Sequence, residues 1–334
     1  METYRQEQFD RVGLQNSKQQ EMLLGSPTPF LKDAWRRFTK NKGALIGLIA
    51  ISIIFTFAIL GPYINQFAYN VLDKIHVNLP PRIQFLEKLG IFNGFEGSYN
   101  PYIEKGFTNS YYWFGTDVLG RDLWDRVWMG TRISFYIALV AVGIDMVIGI
   151  GYGMISGFFG GKIDTVMQRI VEVLSGIPNL VVVTLFVLVL KPGITSIILA
   201  LMITGWISMS RVVRAQVIKM KEHEFVLAAK TLGANSFVLL FKELLPNIIG
   251  QIIVMTMFSI PNAIFYESFL AFVGLGLQPP LASLGVLIAD GYRSMITHPH
   301  LVIFPVVVLS TLMLSFNLIA DGLRDAFDPK MKGF

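Results

Sequence analysis

The sequence predicts an all-α membrane protein with six transmembrane helices. Three observations carry this. Hydrophobic residues make up 53% of the 334 positions and charged residues 15%, well below the quarter usual in soluble domains. Mean hydropathy is +0.56. Apolar runs long enough to cross a bilayer recur along the chain, and lysine and arginine gather in alternate connections. The chain has no cysteine, which excludes disulfides, thiolate metal sites and cysteine nucleophiles. The distribution of the net charge of +5 says more than its size, because it sets topology.

Residues 1–43 form an expected cytoplasmic tail. Its first 25 or so are polar, rich in Gln and Glu, and should be poorly ordered. They hold no apolar stretch followed by a small-residue cleavage site, so no cleavable signal peptide is expected. Within SPTPFLKDAWRRFTKNK, Phe30 or Leu31, Ala34, Trp35 and Phe38 recur at helical spacing. That predicts a short amphipathic helix in the membrane interface, with Trp35 at headgroup depth. The first span covers about 44–63. Residues 64–131 then form a long polar excursion in which acidic and basic residues balance. It lacks the basic bias of a cytoplasmic flank and should be extracellular.

The five remaining spans fall in 132–325. Span two, about 133–159, carries Gly149, Gly153, Gly157 and Gly161 at four-residue spacing, a face on which a neighbouring helix can approach closely. Span three runs to about Leu190 and should be kinked by Pro178. Span four is about 195–209, followed by Arg211, Arg214, Lys219 and Lys221, which marks the cytoplasmic side. Span five is about 248–273, with a kink at Pro261, and span six about 301–319. A cytoplasmic tail at 326–334 carries Lys330 and Lys332. Both termini are thus expected inside.

The long polar interruption in the second half is KEHEFVLAAKTLGANSFVLLFKELLPN, residues 221–247. Phe225, Ala228, Ala229 and Leu232 fall at i, i+3, i+4 and i+7 and share one helical face. Gly233 is placed to end the helix in the left-handed conformation. Asn235 or Ser236 can cap a second helix, which Pro246 should bend on its way into the membrane. A helical elbow at 221–236 should therefore face the aqueous side, showing an apolar knob flanked by charge.

Charge within a span costs about 2.5–3.5 kcal/mol at mid-helix, so Asp145 and Glu267 require explanation. Glu267, beyond Pro261, either lines a cavity, or pairs across an interface with another chain, or reaches headgroup water. Asp145, one turn before the glycines, suits a packing or interhelical hydrogen-bond role. Glu172 should be solvated near the cytoplasmic end of span three. The histidines are His76, His223, His298 and His300. His298-Pro299-His300 could chelate a metal, but a solvated loop is the plainer reading. No Walker A pattern surrounds Gly161-Lys162, so ATP binding is not expected in this chain.

Three motifs carry a family resemblance. Glu224, Ala228, Ala229, Gly233, Leu245 and Pro246 resemble the EAA loop of binding-protein-dependent ABC importers, with Glu243 where the general pattern has Ile. In FGTDVLGRDLWDRVWMGTRIS, residues 114–134, the positions Gly115, Thr116, Asp117, Gly120, Arg121, Asp122, Arg126, Gly130, Arg132 and Ser134 resemble the C-type permease subunit of dipeptide and oligopeptide importers. Asp125 departs from the usual Ser, and Tyr112-Trp113 from the usual His-Pro. Phe272, Gly274, Leu275, Gly276, Gln278, Pro279, Pro280, Ser283 and Gly285 match a third motif, with Leu284 for the usual Trp. The resemblance covers about 110–325.

It implies a type I ABC importer permease fold in the bacterial inner membrane. It implies a homologous B-type permease, two ATP-binding subunits carrying ATP and magnesium, an extracellular or periplasmic peptide-binding protein, and a peptide substrate. The elbow would be the coupling helix, docking on an ATPase through Glu224, Phe225, Ala228, Ala229, Gly233, Leu245 and Pro246. The chain itself would be non-catalytic, without cofactor or metal, and without nucleic-acid partners. Gly115, Thr116, Asp117, Gly120, Arg121 and Asp122 would form a structural turn. Siblings importing nickel or glutathione share these motifs. An ion-coupled secondary transporter would instead want paired intramembrane acids, broken helices and internal repeats, and a structural or receptor-like subunit would not need the elbow.

Overall fold

A computed structural model describes residues 30–65 and 72–327. The polar start of the chain and the tail lysines Lys330 and Lys332 lie outside them. Among the described residues the architecture is helical, with three isolated β-bridges. Five segments are long and apolar enough to span a membrane as they stand, and a sixth is a bent pair.

Helix α1 (Phe30–Phe38) is amphipathic as expected. Its inner face is committed to protein, however. Ala34 and Phe38 are buried with Ala44, Ile319 and Ala326, while Trp35 is 60% exposed. Helix α2 (Lys42–Ile64) starts at Asn41, whose side chain accepts from Ala44 N at 3.1 Å and donates to Asp325 Oδ2 at 3.1 Å. One asparagine thus caps the first span and ties it to the end of the last.

Helix α3 (Leu123–Phe159) is continuous over 37 residues. It begins at Leu123, ahead of the expected start at about 133. At 1.5 Å per residue it reaches about 55 Å, well beyond the hydrocarbon core. Span three is broken rather than kinked. Helices α4 (Gly161–Ser175) and α5 (Asn179–Leu190) meet at 75°. Pro178 caps α5 from outside, because proline supplies no N–H and drives the residue before it out of helical geometry. Span four comprises α6 (Ile194–Thr204) and α7 (Trp206–Met220), joined at Gly205. It ends at Met220 rather than about Met209, so Arg211, Arg214 and Lys219 ride on the helix itself.

The glycine face works as the spacing predicts at three of its four positions. A Cβ on Gly149 would meet Met209 Cβ at 2.7 Å, one on Gly153 would meet Ser210 O at 2.5 Å, and one on Gly157 would meet Arg214 O at 2.9 Å. Helices α3 and α7 therefore pack nearly backbone to backbone. Gly161 is not part of this face. It opens α4 at φ +53° with no atom within 4 Å of its Cβ position.

Helix α8 (Glu224–Thr231) forms the elbow, and α9 (Leu245–Leu270) follows it back into the bundle. Between them Leu239–Leu244 is a π turn. Pro246 has no N–H to return to the preceding carbonyls, and the ladder widens there instead of bending sharply. A second π turn, Ala271–Leu275, leads to the cis Pro279–Pro280 bond. Helix α10 (Leu284–Tyr292), which no sequence pattern singled out, packs under α11 (His300–Phe327).

The excursion has a small core of its own in Leu79, Tyr102 and Tyr112. The Tyr102 hydroxyl donates to Pro80 O at 2.7 Å. Arg82 lies over the Tyr102 and Tyr111 rings and pairs with Glu87 at 2.9 Å. Phe114 stacks on Phe304 at 4.0 Å, and His298 meets Glu96 at 3.0 Å, so the excursion is anchored to α11 and the loop before it. His298 is thereby a carboxylate partner, and His300 is buried.

Candidate coupling elbow and membrane cavity

The elbow is built by its caps. Leu232 N–H donates to Ala228 O at 3.0 Å, Gly233 N–H to Lys230 O at 3.0 Å, and Ala234 N–H to Ala229 O at 3.1 Å. This pair of 5→2 and 6→1 bonds is a Schellman motif, and Gly233 takes the φ of +87° that it requires. The Asn235 side chain then accepts from Val238 N at 2.9 Å, so of the two capping candidates Asn235 serves. Two helix ends are thus capped within four residues.

The apolar face divides differently from the expected knob. Val226 turns inward and is buried with Met154, Met209, Val213, Val217, Leu240, Leu244 and Ile248, and Ala229 packs against the same cluster. Phe225 and Ala228 face outward, and Leu232 is 89% exposed. Phe237 and Phe241, their centroids 4.5 Å apart, are exposed close by. Periodicity alone could not set the phase of a helix with apolar residues on both sides; Val226, the anchor, was missed for that reason. Glu224 is exposed on the first turn. Leu245 and Pro246 sit at the start of α9, behind the π turn.

Two further links tie this end of the bundle together, and sequence reasoning singled out neither. Arg214 donates from Nε and Nη2 to the Asp164 carboxylate at 2.6 Å each, joining α7 to α4. Lys221 Nζ donates to Gly157 O at 3.1 Å, joining the foot of the elbow to the end of α3. Arg214 and Lys221 read in sequence as members of a cationic run, and Asp164 carried no pattern at all.

The turn at 115–122 is a closed hydrogen-bond knot. Asp117 accepts from Leu119 N and Arg121 N at 2.9 Å each, from Arg121 Nε at 2.7 Å, and from Arg126 Nη1. Thr116 Oγ1 accepts from Leu79 N at 2.8 Å. Gly115 and Gly120 supply positive φ. Asp122 caps α3, accepting from Asp125 N at 3.2 Å and from Asn65 Nδ2 at 3.0 Å. Burial pushes the Asp122 carboxyl up to about 7 against the pull of those donors. The residues are buried and bonded to one another around Asp117, which is the geometry of a structural turn.

Pathway lining was one of three readings open for Glu267. Instead it is fully enclosed. Its Oε2 accepts from Ser134 Oγ at 3.1 Å, and Ser134 Oγ accepts from Leu284 N at 3.3 Å. Gly130 backs onto Ser283 and Leu284 at this point. The carboxylate thus joins α3, α9 and the start of α10, and links the second and third sequence motifs. Asp145 is the acid that borders open space. With Asn179, Thr204, Ser208, Ser259 and Asn262 it lines a cavity of about 460 Å³ between α3, α5, α6, α7 and α9. The packing or hydrogen-bond role expected for it is only half met: its side chain lies against Gly205, but its Oδ1 has no partner.

Comparison with known proteins agrees with this architecture. Residues 149–333 match the family described as binding-protein-dependent transport system inner membrane component, and residues 29–81 match the N-terminal TM domain of oligopeptide transport permease C. The chain is 44% identical to the dipeptide transport system permease protein DppC of Lactococcus lactis, with 96% of this chain and 97% of that one covered. It is 42% identical to the DppC of Bacillus subtilis, covering 91% and 87%. The oligopeptide transport system permease protein OppC of Bacillus subtilis is 39% identical, with 95% of each chain covered. The chain therefore belongs to the binding-protein-dependent transport system inner membrane component family, as a multi-pass membrane subunit.

Proposed function

We propose that this chain is one of two transmembrane subunits of an ATP-driven peptide importer, with oligopeptides as its cargo. A homologous B-type permease completes the pathway. Two ATP-binding subunits, which hold ATP and magnesium, dock on the cytoplasmic elbow, and an extracellular or periplasmic binding protein delivers peptide. The chain is non-catalytic and holds no cofactor. Peptide cargo is supported by the names of relatives aligned over nearly their whole length.

The observation that carries the coupling role is the elbow's division of labour. Phe225, Ala228 and Leu232 are offered outward, while Val226 roots the same helix in the cluster shared by α3, α7 and α9. Force applied to the outer face passes through Val226 and Lys221 into the glycine-packed α3–α7 pair, which borders the cavity. Two permeases rocking about such contacts alternate the side on which the cavity opens.

The test is purification of the tagged chain from its native membrane in mild detergent, with mass spectrometry of what co-elutes, followed by uptake of radiolabelled peptide. Recovery of a second permease and two ATPases, with peptide uptake, is expected. Repeated recovery of this chain alone would overturn the importer assembly. Uptake of nickel or glutathione without peptide would move the cargo to a sibling system.

A further inference from the structure

The cavity beside Asp145 forms where the broken third span meets the fourth. Asn179 opens α5 just after the break at Pro178, and Gly205 is the joint between α6 and α7. Thr204 Oγ1 donates to Asn179 Oδ1 at 2.6 Å, which ties the end of α6 to the start of α5. Gly205 leaves room for the acid, since a Cβ there would lie 2.5 Å from both Asp145 carboxylate oxygens. Asp145 is 9% exposed, and its Oδ1 has no hydrogen-bond partner. The lining residues are otherwise neutral, and none is a cation. A carboxylate held deep in a membrane span, with one oxygen unpaired and no counter-charge, is expensive. Its volume is that of a small-molecule site.

We propose that Asp145 receives the terminal ammonium group of a peptide as it passes through this cavity. The inference rests on the peptide-importer reading. An ammonium is the one cationic group every unmodified peptide carries whatever its side chains. A carboxylate ringed by hydroxyls and amides can hold it with charge-assisted hydrogen bonds and remain indifferent to sequence. Glu267 cannot serve, because it is sealed between α3 and α9.

The absence of cysteine makes the test direct. In the complete importer, reconstituted with its binding protein, Ser208→Cys places a thiol on the cavity wall, where Ser208 is exposed. A trimethylammonium-bearing thiosulfonate should label it about tenfold faster, relative to a sulfonate-bearing one, than either labels a free thiol. Adding Asp145→Asn should erase that preference. In the complex without the introduced cysteine, Asp145→Asn should lower uptake of a tripeptide with a free amino terminus about tenfold, and Asp145→Glu should recover part of it. Co-purification of the partner subunits with each variant shows that the fold survives. An unchanged labelling ratio, or unchanged tripeptide uptake by Asp145→Asn, would overturn the assignment while leaving the importer reading in place. No peptide uptake by the unsubstituted complex would instead sink the peptide reading. A labelling preference that persisted in that case would mark a site for another cation.

Discussion

Asp117 satisfies four donors with one carboxylate, two of them on the buried guanidinium groups of Arg121 and Arg126. Removing it takes the hydrogen-bonded counter-charge from two buried cations, a loss of about 3–5 kcal/mol for a buried pair. Asp117→Ala should therefore lower the melting temperature of the detergent-purified complex by well over the shift of an exposed control such as Glu172→Ala. Asp122 makes a different prediction. Its carboxyl is raised from 3.8 to about 7, so between those values the folded chain holds a proton that the unfolded chain has released. Stability should fall as pH rises from about 4 to about 7. Asp122→Asn keeps an N-cap and should flatten that slope in a melting series against pH. That Gly115–Asp122 is a turn was legible in the sequence, because Gly, Thr and Asp at that spacing suit a tight hydrogen-bonded loop. The roles of Asp145 and Glu267 were not. Both are lone acids in apolar spans, and only the tertiary arrangement shows which is sealed and which borders a cavity.

At the scale of elements, the α3–α7 contact depends on three glycines that differ from their neighbours in what they touch. Gly153→Ala forces a methyl against Ser210 O and the Val213 side chain, at 2.5 and 2.8 Å. A cost of about 1–3 kcal/mol is expected for such overpacking. Gly151→Ala, with no atom within 4 Å, should change stability by no more than about 0.5 kcal/mol. Thermal melts of the two variants side by side check this. The four-residue spacing made the face readable, but it could not show that Gly161 had left the helix. Pro178 was visible as a residue, yet a full 75° break there and its meeting with the fourth span are consequences of packing. The elbow's limits were readable from Gly233 and Asn235 because caps are local chemistry, whereas the phase of α8 depends on the cluster around Val226.

For the whole molecule, on the proposed reading, the excursion and the elbow lie on opposite sides of the membrane, and the elbow is the point at which ATP hydrolysis elsewhere becomes motion here. The absence of native cysteine allows topology to be read directly. On intact cells a membrane-impermeant thiol reagent should label Asn109→Cys in the excursion and leave Ser236→Cys in the elbow untouched until the membrane is opened. The most direct test of coupling is peptide uptake by the reconstituted importer carrying Gly233→Pro or Glu224→Lys. Proline cannot adopt the φ of +87° found at Gly233, so the elbow would lose its shape while the spans stay intact. Both variants should insert and be recovered at normal levels in the membrane, and both should fail to accumulate peptide. Normal uptake by both would contradict the claim that this elbow couples the chain to its ATPases.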